Sequence, residues 1–190
     1  MKKTIFALGV SLLIPFVTIQ AAQVENLRCE FRVNPLAIDA TKPRLSWKLE
    51  TGNLKLERGI TQTAYQILVA STPEILVKDQ GDLWDSGKVA SDQSVHIDYQ
   101  GKPLASGMLC HWKVKAWTTD ASGKEQATDW SAPAFWRMGT LEAAGWLGKW
   151  IGHDDADLNI APWLRKSFDI PAVPTRAFVT VNIAGYAELY

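Results

Sequence analysis

The sequence predicts an all-β chain, an antiparallel β-sandwich followed by the start of a second β unit. Three observations predict it. Apolar residues recur with a period of two rather than 3.6. Turn signals rich in glycine, proline and asparagine separate the alternating runs. Seven short strands fit between Gln23 and Gly139, the density of a two-sheet sandwich.

The runs follow in order. Leu27, Cys29, Phe31 and Val33 alternate with Asn26, Arg28, Glu30 and Arg32. Leu45, Trp47 and Leu49 alternate with Ser46, Lys48 and Glu50. Tyr65, Ile67 and Val69 share a face, and Leu68 makes that strand apolar on both sides. A strand end near Trp84 leads into Asp85-Ser86-Gly87. Val95, Ile97 and Tyr99 alternate with His96 and Asp98, then Cys110, Trp112, Val114 and Ala116 with His111, Lys113 and Lys115. A last strand spans 134–138. Each run is a half-buried strand with a polar outer face. The clearest turns are Asn34-Pro35, Lys42-Pro43, Gln100-Gly101-Lys102-Pro103 and Ala121-Ser122-Gly123. One helical turn is expected at 72–77, with Thr72 as N-cap and Pro73 in the first helical position.

The N-terminus predicts export. Lys2 and Lys3 precede an apolar run from Ile5 to Ile19, and Gln20-Ala21-Ala22 offers small residues for cleavage. The expectation is a signal peptide over 1–22, removed after Ala22, with a retained anchor as the alternative. The run is short for a membrane span, so no membrane association is expected after cleavage, and the protein is expected in the periplasm or outside the cell. Lysine plus arginine equals aspartate plus glutamate at 20 each. This balance offers no basic stripe for nucleic acid. The two cysteines, Cys29 and Cys110, both fall on inward faces. An oxidising compartment permits a bridge, and small apolar burial explains them equally well.

The segment 140–160 carries Trp146, Trp150 and Ile151, too apolar for a free tether. These three side chains are expected to pack between domains. Residues 161–190 begin another β unit. Leu164, Lys166, Phe168 and Ile170 share a face, and Ala177, Val179, Val181 and Ile183 form the next strand.

Candidate chemistry is sparse. Glycoside hydrolysis commonly needs two carboxylates across a cleft, and the acidic cluster is Asp154, Asp155 and Asp157. Near neighbours on a loop point apart, so a solvated loop is the expectation, with calcium ligation as the alternative use of alternating oxygens. His96, His111 and His153 lack metal-ligand spacing, and no cofactor is expected. Ser46 and Ser131 lack a nucleophile-elbow context. Of the nine tryptophans, Trp47 and Trp112 read as core. Trp136, Trp146, Trp150 and Trp163 fall where an interface would form, and Trp163 is the candidate sugar platform.

Several motifs occur in sequence order: Arg44-Leu45-Ser46-Trp47, Ala64-Tyr65-Gln66-Ile67-Leu68-Val69-Ala70, Leu83-Trp84-Asp85-Ser86-Gly87, Trp112-Lys113-Val114-Lys115-Ala116-Trp117, Trp130-Ser131, Trp146-Leu147-Gly148-Lys149-Trp150-Ile151-Gly152 and Ala161-Pro162-Trp163-Leu164-Arg165-Lys166-Ser167-Phe168. The ordered set resembles the N-terminal region of bacterial α-L-rhamnosidases of glycoside hydrolase family 78. The resemblance implies a fibronectin-III-like or immunoglobulin-like sandwich over 23–139. It implies a docking linker over 140–160 and, over 161–190, the incomplete start of a carbohydrate-binding-like sandwich. It places the inverting catalytic carboxylates on a downstream helical domain, so no catalytic residue is expected in this chain. That domain, and a rhamnose-containing glycan, are the implied partners. A stand-alone secreted module that binds sugar or protein is the alternative.

Overall fold

The computed structural model describes residues 22–51, 59–142, 145–152, 163–175, 177–184 and 188. It divides into two units after Leu147. Of the signal peptide expected over 1–22, residues 1–21 lie outside the described residues, as do Asp154, Asp155 and Asp157.

The first unit is the expected sandwich. Its strands are β1 (Gln23–Cys29), β2 (Arg44–Glu50), β3 (Thr61–Ala70), β4 (Trp84–Asp85), β5 (Val89–Ala90), β6 (Ile97–Asp98), β7 (Leu109–Thr119), β8 (Glu125–Ala127) and β9 (Ala134–Arg137). One sheet has the order β1-β2-β6, and the other is built on the β3-β7 pair. β4 and β5 share the outer edge of β3, and β8 and β9 share that of β7. The nine strands therefore fill the seven positions that the turn spacing predicts. Every strand pairing is antiparallel. The single helical turn, α1 (Pro73–Val77), starts as expected: Thr72 accepts a hydrogen bond from the Ile75 amide, and Pro73 stands where no intrahelical donor is needed.

The core lies between the sheets. Leu45, Ile67, Val69, Val114 and Trp112 are fully buried there, each worth ~1.5–3 kcal/mol of transfer free energy. Aromatic rings form its spine. Trp84 meets Tyr99 edge-on at 5.4 Å, Tyr99 meets Trp136 at 6.0 Å, and Trp136 meets Trp112 at 6.2 Å. Trp47 donates its indole N–H to the buried Gln62 amide (3.1 Å), which in turn donates to the Ser91 and Gln93 carbonyls. A polar chain thus closes without an orphaned group. Cys29 and Cys110 are free and buried. Burial pushes both thiols upward, Cys110 to about 12, so they sit in the core as inert thiols.

Three expectations are corrected. Phe31 and Val33 do not continue the inward face of β1; they are exposed. Glu30 and Phe31 take left-handed backbone (φ +47° and +64°), which ends the strand at Cys29. Val95 is likewise exposed, because His96 is left-handed (φ +58°) and breaks the alternation before Ile97. Trp136, expected at an interface, is a completely buried core residue on β9.

In the second unit, no strand is assigned among the described residues. The two expected runs, 164–170 and 177–183, expose Phe168, Val179 and Val181. A strand gains its stability from cross-strand pairs and a covering layer, and neither run has them among the described residues.

Candidate functional site

The outer face of the β3-β7 sheet carries a ladder of cations and rings. β7 projects Lys113, Lys115 and Trp117 outward, because Trp112, Val114 and Ala116 take the core positions. Beyond β8 the chain leaves the sheet and returns at β9. In the gap, side-chain hydroxyls replace the missing backbone partners. The Ala116 amide donates to Thr128 Oγ1 (3.1 Å), and the Val114 amide donates to Ser131 Oγ (3.0 Å). The Thr128 and Ser131 amides donate back to the Ala116 and Val114 carbonyls, both at 2.8 Å. Ser131 is thus a ladder residue and no nucleophile.

Those bonds hold Trp130 over the sheet. The Lys113 and Lys115 ammonium groups lie 4.9 and 4.7 Å from its ring centroid, a cation–π arrangement. Lys113 is buried and forms an ion pair with Asp79 just after α1. The same indole covers the small cluster of Leu68, Ala70 and Leu76. Lys88 caps Trp117 at 4.6 Å and pairs with Glu125 at 2.9 Å. Sequence alternation places Lys113 on the polar face but gives no sign of its burial, which depends on α1 folding over it.

Beside Trp130 lies a half-open groove of about 640 Å³. It runs between the free edge of β1 and the 129–134 segment. Glu25, Asn26, Asn34 and Asp129 line it, with Val24 and Leu27 below. None of these was a predicted site residue, because the two walls are a hundred positions apart in sequence.

A glycosidase acid needs a carboxyl raised by burial or by a neighbouring carboxylate. Among the described residues, every carboxyl with a resolved shift moves the other way. The Arg44 guanidinium, bonded to Glu30 in a bidentate pair, lowers Glu30. Lys113 lowers Asp79, and Lys88 lowers Glu125. Glu74, Asp82 and Asp120 are lowered as well. No group of three metal-ligating side chains occurs among the described residues, and none of their helices is long and apolar enough to cross a membrane.

The predicted aromatic residues are placed as follows. Trp163 is 88% exposed in the second unit. Trp146 closes the first unit at 42% exposure, and Trp150 and Ile151 are largely exposed in the second.

Known proteins place the chain clearly. The family model for the Rha78A-like N-terminal immunoglobulin domain matches residues 24–142. An α-L-rhamnosidase of Formosa agariphila is 37% identical over 157 residues, covering 83% of this chain and 16% of the relative. One from Streptomyces avermitilis is 40% identical over 147 residues, covering 77% of this chain and 13% of the relative. The chain spans 12–17% of the length of the curated relatives it matches. Among solved structures, the Streptomyces avermitilis α-L-rhamnosidase complexed with L-rhamnose superposes with a TM-score of 0.61 at 41% identity, covering 70% of this chain and 12% of that one. The Dictyoglumus thermophilum α-L-rhamnosidase gives 0.60 at 38% identity, with 68% and 14% covered. A sandwich of this strand order, matched over its whole length, makes the chain a member of the Rha78A-like N-terminal immunoglobulin-domain family.

Proposed function

We propose that this chain is the non-catalytic N-terminal region of an exported α-L-rhamnosidase. The parent enzyme would hydrolyse terminal α-L-rhamnose from glycans or glycosides with inversion, using carboxylates on a domain downstream of Tyr190. The observation that carries this reading is the 37–40% identity to α-L-rhamnosidases over about four-fifths of the chain. In this reading the sandwich is a rigid scaffold. Trp146, Trp150 and Ile151, all substantially exposed, pack against the rest of the parent enzyme, where their burial would contribute to domain docking.

Export is part of the same proposal. Cleavage after Ala22 would leave β1 whole, because its first paired residue is Gln23 opposite Glu50. The test is the genomic DNA downstream of the Tyr190 codon. An open frame encoding a helical hydrolase domain is the expected result. A stop codon with no such frame within reach of a single frameshift overturns the reading. It would favour a stand-alone binding module, a second reading that the groove beside Trp130 supports.

A further inference from the structure

We propose that the groove between β1 and the 129–134 segment binds a neutral sugar. Only the choice of a rhamnoside as first ligand rests on the rhamnosidase reading. The groove's volume, about 640 Å³, falls within the ~300–1,000 Å³ typical of small-ligand sites. Its polar lining comprises two carboxylates, Glu25 and Asp129, three amides, Gln23, Asn26 and Asn34, and Ser131, whose hydroxyl is already bonded to the Val114 amide and the Ala132 carbonyl. Among the described residues, no ion pair engages either carboxylate. Asn26 Oδ1 accepts from Arg28 Nε, and Asn34 Oδ1 accepts from the Phe135 amide, both at 3.0 Å. Each asparagine therefore turns its NH₂ end to other partners. Unspent acceptors stand beside unspent donors, which suits a hydroxyl, itself both donor and acceptor.

Charge and backbone narrow the class. The lining holds no lysine, arginine or histidine, so it disfavours phosphate, sulfate and uronate. A peptide strand added along the β1 edge would need a regular ladder. β1 instead slips register between Glu25 and Arg28, with Asn26 left-handed at φ +54°. A bulged, charged edge resists strand addition, so recognition falls to side chains. Trp130 serves as a wall rather than a stacking platform, because Lys113 and Lys115 lie over its ring. The expected affinity is weak, on the order of millimolar.

The test is a titration of the ¹⁵N-labelled 190-residue chain with methyl α-L-rhamnoside, methyl β-D-galactoside, D-galacturonate and hexalysine, followed by amide NMR. The rhamnoside is expected to give saturable shifts confined to 23–34 and 129–134. Asp129→Ala and Asn26→Gly, the latter suited to the left-handed backbone, should each weaken binding about tenfold and leave the melting temperature unchanged. Shifts from the galactoside alone would uphold the groove as a neutral-sugar site with a ligand other than rhamnose. Shifts from galacturonate or hexalysine alone, or none from any probe, overturn the groove proposal. The downstream frame would still decide the rhamnosidase reading independently.

Discussion

Thr128 and Ser131 show how single atoms complete this fold. Strand β7 would expose two buried amides where its edge partner departs, and two hydroxyls close them. Leaving one such donor unsatisfied costs roughly 1–3 kcal/mol. Thr128→Val and Ser131→Ala are each expected to lower stability by about that amount in urea denaturation. A loss within experimental error would show that water replaces the hydroxyl. Ion pairs at the surface behave differently. Glu30, Asp79 and Glu125 all have pKa values depressed by a cationic partner. A depressed carboxyl stabilises the fold above its ordinary pKa, and that stability is lost as pH falls through the lower folded value. The ordinary values are 4.5 for the glutamates and 3.8 for the aspartate. The melting temperature should therefore hold steady above about pH 5 and fall below it. The fall should shrink in high salt, which screens exposed pairs. A melting temperature that rises on acidification would contradict this account.

The sequence reveals the interiors of the elements better than their ends. Along β7, Cys110, Trp112, Val114 and Ala116 are buried as alternation predicts, and β3 is apolar on both faces because Leu68 packs beneath Trp130. The early end of β1 was not legible, since Glu30 and Phe31 turn left-handed without a glycine or proline to announce it. Trp136 was misassigned because nothing in its local pattern shows that Tyr99 and Trp112 surround it from other strands. The groove was hidden for the same reason: Asn26 and Asp129 meet only through sheet topology. The turn after β6 was legible as a turn, but not its tightness. A methyl group on Gly101 would press on the Leu83 carbonyl and stand 2.5 Å from both Tyr99 Oη and Trp84 Cβ. Overpacking of this kind costs roughly 1–3 kcal/mol. Gly101→Ala should therefore lower the denaturation midpoint clearly, and an unchanged midpoint would show that the turn can open.

As a whole molecule, the chain couples a complete sandwich to a segment whose described residues expose their apolar side chains. The sandwich has its own core and closed hydrogen-bond accounts, with no buried side-chain polar atom left unpartnered among the described residues. Glu30, Asp79 and Glu125 are drawn toward ionisation by their cationic partners. The relatives that match it are α-L-rhamnosidases several times its length. The proposed scaffold role has a direct catalytic check. The purified 190-residue chain, incubated at high concentration with a chromogenic aryl α-L-rhamnoside, should release no phenol above the buffer blank. Release that is saturable in substrate and proportional to protein would contradict the scaffold account.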